Sequence, residues 1–376
     1  SALIYFVSHV QLDAALLYTA RNAADFLDPA DKSVEQYRKT GITSVVTGYG
    51  SSVFPGTSTI LSLAGPATGE QVLKPVAGMN LSFKRSQRFY PTTLMAVIAY
   101  TRQTFLDATH HAELKSLYGD GRPGFPFPEY KRELDTLMPV LRGRMPVIFR
   151  VKTENEVKRA LKIVDEFNLK AIFSGVNEGW RVKEVLKKRR IPLILSLDFP
   201  DPDQVTGYSF RLPVKGFNKE EKDSVVKELI QANGAVLAEA GCDISFSTQD
   251  LSTPGKYLDQ IKTCIKQGLD EKTALEAMTI NPAMTFGIST VAGSIERGKQ
   301  ADLVVTTGPL FAEKTKIKHV FTRGRKFTFA AEKKKSEKPT VDVTGTWKAT
   351  VSSPMGDFSF DLTLEQQGAT LSGTLS

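Results

Sequence analysis

The sequence has 376 residues, of which 41% are apolar and 24% charged, a composition typical of a globular protein with one large domain and smaller pieces. No run of about eighteen apolar residues occurs, so no transmembrane helix is predicted, and the first residues lack the charged leader of a signal peptide. The net charge of +8 comes from scattered lysines and arginines, which indicates a solvated surface rather than a nucleic-acid-binding protein. The two cysteines, Cys242 and Cys264, form no metal-binding pattern.

Short apolar runs alternate with helical stretches along most of the chain. Thr153, with Glu156 three residues later, has the spacing of a capping box and predicts the start of a helix. The other predicted helices are 91–117, 178–189, 219–240, 254–268 and 270–279, and the predicted strands are 1–7, 42–47, 76–83, 146–151, 170–174, 191–197 and 243–247.

Apolar strands that alternate with helices predict a parallel sheet covered by helices, and their number fits a closed (β/α)8 TIM-like barrel over residues 1–289. An open doubly wound sheet is the alternative, although no glycine-rich phosphate loop follows an early strand. From 290 to 330 the pattern changes to turns and short strands, which predict a small β-sandwich subdomain. The charged segment 331–341 predicts a linker. Residues 342–376 alternate as a partial C-terminal β-domain, so we expect a longer parent protein.

One segment near the end of the predicted barrel carries a specific pattern. It reads GLDEKTALEAMTINPA at 268–283 and GSIERGKQADLVV at 293–305. Its order and spacing resemble the C-terminal part of the amidohydrolase superfamily. Weaker similarity over about residues 20–330 resembles a branch of large, often exported bacterial members. The resemblance implies a metal-dependent hydrolase of carbon–nitrogen bonds, with non-peptide or cyclic amide substrates, in the periplasm or outside the cell.

The resemblance also implies where metal ligands lie, at the C-terminal ends of the barrel strands. In the family a His-x-His pair ends the first strand, Lys or Glu the fourth, His the fifth and sixth, and Asp the eighth. A bound divalent metal, zinc by resemblance, lowers the pKa of its water and makes it a nucleophile. Here Asp250 occupies the aspartate position, as the candidate catalytic residue and a possible ligand, or else as a loop aspartate. Arg150 and Ser174 replace the two single histidines.

The remaining candidate ligands are few. Lys84 follows the fourth strand, either as a stand-in for the family lysine or as a surface lysine. His9, in the triplet HVQ, is either half of a His-x-His pair or a coincidental histidine. His110 and His111 are expected on an exposed helix surface, and His319 lies in the predicted sandwich. Because a catalytic zinc usually has three protein ligands, we predict that this chain alone does not hold one.

Two functions therefore stay open. The first is a hydrolase of carbon–nitrogen bonds with a degenerate metal site. The second is a catalytically inactive barrel that serves as a binding or structural domain of a larger protein. Arg150 would allow the same pocket to bind an anionic group of a small molecule, whereas neither the substrate nor the oligomeric state is indicated. A metal assay on the purified protein separates the two hypotheses.

Overall fold

The computed structural model of the chain describes residues 2–8, 17–26, 31–50, 52–65, 71–87, 89–199, 219–329, 342–353, 356–367 and 370–375. These residues form two compact units, Ser1–Thr328 and Phe329–Ser376. The predicted linker 331–341 lies outside the described residues.

Eight strands of the first unit form a closed barrel. Neighbours in sequence are neighbours in the sheet, and β1 closes the barrel against β8 through Tyr5 and Ser247. The predicted barrel is therefore confirmed, and the open sheet is excluded. The strands are Ala2–Ser8 (β1), Ile42–Tyr49 (β2), Gly56–Ser62 (β3), Val72–Ser82 (β4), Val147–Arg150 (β5), Ala171–Val176 (β6), Leu193–Ser196 (β7) and Ile244–Ser247 (β8).

The barrel departs from eight parallel strands at β3, which is antiparallel to both β2 and β4. The connections 50–55 and 63–71 are shorter than the dozen or more residues that a parallel crossover needs, so the chain must turn back at each of them. The expectation of a wholly parallel sheet is wrong here. Gly48 is required at this place, because a Cβ on it would lie 2.3 Å from Ser58 Oγ and 2.8 Å from Asn80 Nδ2.

Helices follow most of the parallel strands. The helix after β5 begins with the predicted capping box, in which Thr153 Oγ1 accepts from the Glu156 backbone N–H at 3.3 Å. The predicted helix 178–189 is divided into a 3-10 turn, Gly179–Arg181, and an α-helix. The α-helices are Lys32–Lys39 (α1), Leu94–Gly119 (α2), Arg132–Asp135 (α3), Met138–Leu141 (α4), Glu154–Glu166 (α5), Lys183–Arg189 (α6), Lys219–Glu239 (α7), Tyr257–Lys266 (α8), Glu271–Met278 (α9) and Ile280–Thr285 (α10). None of the helices in the described ranges is both long and apolar enough to cross a membrane.

Two apolar layers hold the first unit together. The larger lies largely between the strands and the surrounding helices. The smaller contains Ile148, Ile172 and Ile194 from successive strands, which pack with Phe286 and Ile288 after α10. Because Phe286 and Ile288 follow α10 and pack on residues near the strand N-termini, we name this layer the barrel floor. Burying one such side chain stabilises a fold by about 1.5–3 kcal/mol.

Three short strands form a small antiparallel sheet in the first unit, Leu303–Thr306 (β9), Ile317–Thr322 (β10) and Arg325–Thr328 (β11). Asp302 is buried, and its carboxylate accepts from the Arg323 backbone N–H at 2.7 Å and from Ser44 Oγ at 3.5 Å. Burial raises the pKa of Asp302. The contact between Asp302 and Ser44 of β2 connects this sheet to the barrel, as the motif at 293–305 predicts. A complete β-sandwich subdomain stays a prediction.

The second unit contains a three-stranded antiparallel sheet in the order β12-β13-β14. Its strands are Gly345–Ser353 (β12), Gly356–Gln367 (β13) and Thr370–Leu375 (β14). Trp347 is half-exposed on β12, and its indole N–H donates to the Val343 carbonyl at 2.9 Å.

Candidate functional site at the barrel mouth

The C-terminal ends of β5 to β8 bring several polar side chains together, and we refer to this end of the barrel as the mouth. Arg150 ends β5 and is paired in register with Ser174 of β6. Ser196 ends β7, and Asp250 follows β8 by three residues. Arg150 ends β5 and Asp250 follows β8, as assigned from the sequence, whereas β6 continues two residues beyond Ser174, to Val176.

Asp250 is the centre of an ion-pair cluster. Its Oδ1 accepts a short hydrogen bond from Arg150 Nη2, and its Oδ2 lies 3.3 Å from Lys152 Nζ. Ser196 Oγ also donates to Oδ2, at 3.5 Å. The Asp250 side chain is 13% exposed, and that of Arg150 is 28% exposed. Both oxygens of the carboxylate are therefore already engaged by cations of the same chain.

Gln249 joins Ser174 to this cluster. With its amide oxygen turned towards Arg150, it accepts from Nη1 at 2.6 Å and from Nε at 3.2 Å. The other amide position lies 3.4 Å from Ser174 Oγ. Arg150 is thus held by Gln249 on one edge and by Asp250 on another, an arrangement that uses most of its guanidinium donors.

A second carboxylate, Asp198, lies near the cluster. Burial raises the pKa of Asp198, the charge of Asp250 raises it further, and the charges of Lys152 and Lys256 oppose the shift. The mouth therefore contains two carboxylates, Asp198 and Asp250, and at least two cations, Arg150 and Lys152. This is a nearly neutral arrangement, in contrast to a set of ligands that converge on a divalent ion.

The donor set that the described residues of the mouth provide does not fit a divalent metal. Among the described residues there is no group of three or more His, Cys, Asp or Glu side chains that could hold one. A guanidinium such as that of Arg150 has no lone pair for a metal, and the Ser174 hydroxyl is a poor ligand for zinc. Of these three positions, Arg150, Ser174 and Asp250, only Asp250 has a metal-binding side chain, and cations already surround it.

The other sequence candidates that the structure describes form no ion pair or side-chain hydrogen bond with this cluster. Lys84 is exposed beyond β4, and its ammonium forms no ion pair with a described residue. His9 lies outside the described residues. His110 is exposed as predicted, whereas His111 is buried and its Nε2 lies 3.5 Å from Asp135 Oδ1, so the expectation of an exposed His111 is wrong. His319 lies on β10, where its Nδ1 is 3.2 Å from Thr328 Oγ1.

Sequence analysis missed Lys152, Ser196 and Gln249. Lys152 is two residues beyond Arg150, and the period of two along an extended strand places both side chains on the same side. That spacing is a signal that the sequence contains. Gln249 has no comparable signal, because its contacts with Arg150 and Ser174 depend on the closure of the barrel.

Comparison with known proteins agrees with this architecture. The model of the Amidohydrolase family matches residues 205–330. The structure of an amidohydrolase from Thermotoga maritima MSB8 superposes with a TM-score of 0.71, covering 87% of this chain and 85% of that chain at 23% identity. Residues 205–330 thus match the amidohydrolase family, and the barrel shares its fold with an amidohydrolase. Amidohydrolases are generally metal-dependent, and the matched residues include β8 and Asp250 but neither Arg150 nor Ser174.

One curated relative adds a likeness over a short stretch. An adenine deaminase from Archaeoglobus fulgidus is 37% identical over 84 residues, which are 22% of this amidohydrolase-type chain. The stretch spans only 14% of the length of that enzyme.

Proposed function

We propose that this chain is an amidohydrolase barrel without a hydrolytic metal centre, and that it serves as a non-catalytic binding or structural domain of a larger protein. The observation that supports this most directly is the engagement of Asp250 by Arg150 and Lys152. In the family this carboxylate binds metal and takes a proton from water. Here it neutralises two cations.

Electrostatics favours the ion pair over a metal. One unit charge about 4 Å from a divalent ion, at an effective dielectric near 20, costs on the order of 8 kcal/mol before screening. Arg150 would impose that cost on an ion in the family position once Asp250 turned from the guanidinium to the ion, because the guanidinium would then lose the carboxylate that neutralises it. Ser174, on the neighbouring strand β6, supplies no imidazole ligand to offset that cost.

The experiment restores the missing ligands. Purified wild-type chain, equilibrated with zinc and desalted, is expected to retain well under one zinc per chain in elemental analysis. The double variant Arg150→His/Ser174→His supplies two imidazoles beside Asp250, the three protein ligands typical of a catalytic zinc. It is expected to retain close to one zinc per chain. Adding Asp250→Asn to that double variant provides the matched control and is expected to abolish the gain.

Near-stoichiometric zinc in the wild-type chain would contradict the proposal. A double variant that folds but gains no zinc would show that these positions do not share a ligand geometry.

The second candidate is metal-dependent hydrolysis of a carbon–nitrogen bond, with Asp250 as the catalytic residue. The family and the local likeness to an adenine deaminase favour it. It requires ligands from outside the described residues, such as His9, which directly follows β1 in the sequence. Hydrolysis of cyclic amides or of adenine by the wild-type chain, lost on chelation and restored by zinc, would establish this candidate.

A further inference from the structure

The opposite pole of the barrel contains a cavity that the mouth does not explain. Its volume is about 650 Å³, within the range of small-molecule pockets. It is lined by the segments that precede β5, β6 and β7 and by the turn after α10. Its apolar wall includes Ile172 and Phe286 of the barrel floor.

The rim of this cavity is strongly cationic. Five cations and one carboxylate line it, which gives a charge of +5 − 1 = +4; these residues are Lys74, Arg144, Lys170, Arg189, Arg190 and Asp165. Asp165 binds Arg189 through two hydrogen bonds of 2.5 and 2.7 Å. Within the described part of the chain, Arg144, Lys170 and Arg190 form no ion pair. Lys74 donates to the Phe286 carbonyl at 2.8 Å and keeps its charge.

Cations are often found at helix C-termini, where they offset the negative end of the helix dipole, but this effect does not account for the whole charge of the rim. The C-termini of α5 and α6 face the rim and contribute roughly −0.5 elementary charge each, which leaves about +3. Arg144 and Lys170 belong to neither helix, since they directly precede the residues that enter β5 and β6.

The backbone at Arg190 supplies an independent observation. Arg190 has φ 49° and ψ 40°, the left-handed conformation in which glycine is the usual residue after a helix. An arginine there is strained relative to glycine, yet its side chain lies on the cavity. Residues with strained backbone are concentrated at ligand and active sites, so this conformation at the cavity supports a binding role for Arg190.

We propose that this pole binds a small polyphosphate-bearing molecule, with the phosphates on Arg144, Lys170 and Arg190 and its apolar part against the floor. Arginine forks match phosphate oxygens in pairs, and a compact ligand with several negative charges balances the rim. The site lies at the strand N-termini, away from Asp250, so it is independent of whether the mouth binds metal.

Calorimetric titration of the full chain with inorganic tripolyphosphate tests the site. The expected dissociation constant is on the order of ten micromolar at low salt, and it should rise steeply with ionic strength. Arg190→Gly removes the guanidinium while the backbone keeps a conformation that glycine prefers, so the variant folds and should bind at least tenfold more weakly. Arg144→Gln/Lys170→Gln is a second variant with the same expected loss.

The matched control is Lys188→Gln, which removes one exposed cation from the last turn of α6 without altering the cavity lining. It should bind within about twofold of wild type when the variants are compared at about 0.15 M ionic strength, where a Debye length near 8 Å screens charges that do not contact the ligand. No binding of tripolyphosphate, or an equal loss in Lys188→Gln and Arg190→Gly, would overturn the proposal. Tighter binding of citrate would overturn the assignment to phosphate, and tighter binding of a short oligonucleotide, weakened by the same variants, would replace the small ligand with nucleic acid.

Discussion

At the mouth of the barrel Asp250 joins Arg150 and Lys152, whereas at the opposite pole Arg144, Lys170 and Arg190 have no acidic partner among the described residues. Both ends of the barrel therefore carry cations, which are paired with a carboxylate at the mouth and are largely unpaired at the opposite pole. Charges that are paired inside the protein contribute to its stability. Charges left unpaired around a cavity contribute little to stability and remain available to a ligand.

The largest expected effect concerns the apolar floor rather than either set of charges. Phe286 is 3% exposed and closes the barrel between Ile148, Ile172 and Ile194. Phe286→Ala leaves a cavity there and is expected to lower the free energy of unfolding by about 3–5 kcal/mol in urea denaturation. The neighbouring Met284→Ala, at an exposed position, should change it by less than about 0.5 kcal/mol. Equal effects of the two substitutions would mean that the floor does not hold the barrel.

The next largest effect is a difference in stability cost between removing the carboxylate of Asp250 at the mouth and removing that of Asp165 at the opposite pole. Asp250→Asn leaves two cations of the mouth without their partner and is expected to cost about 2 kcal/mol of unfolding free energy. Asp165→Asn breaks an exposed pair with Arg189, whose side chains are 45% and 46% exposed, and should cost less than about 1 kcal/mol. Raising the salt concentration should reduce the second cost more than the first. A larger cost for Asp165→Asn would reverse the comparison.

The smallest effect concerns Asp198, whose pKa is raised by burial and by the charge of Asp250. In the folded chain this carboxyl keeps its proton at pH values where the unfolded chain has released it. Its contribution to stability is therefore present below the unfolded pKa and is lost as the pH rises through the folded pKa. Asp198→Asn is expected to raise neutral-pH stability by less than about 1 kcal/mol after solvent screening. The gain should vanish below about pH 4, near the ordinary pKa of aspartate, so a gain that persists in acid would contradict this assignment.

Much of the fold follows from the sequence because its strands are short apolar runs with clear ends. β5, β6 and β7 each begin with three apolar residues, β8 alternates apolar residues with serine, and Thr153 with Glu156 marks the start of α5. β3 was missed because GTSTILS is rich in hydroxyl residues. All of β3 is buried, and Ser58 Oγ donates to Asn80 Oδ1 of β4 at 3.0 Å. Such an interior polar contact is visible only once β2, β3 and β4 are paired.

The site was predicted only in part, for a related reason. The predicted strands placed Arg150, Ser174 and Asp250 near the C-terminal ends of β5, β6 and β8, and this end of each barrel strand lies at the mouth. Their mutual contacts depend on register and closure. The cationic pole was not predicted, because Arg144, Lys170 and Arg190 are scattered in the sequence and come together only when three strands begin side by side.

The reversed strand β3 has a consequence for how the chain folds. β2, β3 and β4 pair through short connections, so this meander closes only small loops and can form early. The pairing of Tyr5 with Ser247 joins residues at nearly opposite ends of the barrel sequence. Because closing so long a loop has the largest entropy cost, we expect this pair to form last. We therefore expect the seam between β1 and β8 to open first in native-state hydrogen exchange, with backbone amides of the meander exchanging only on global unfolding.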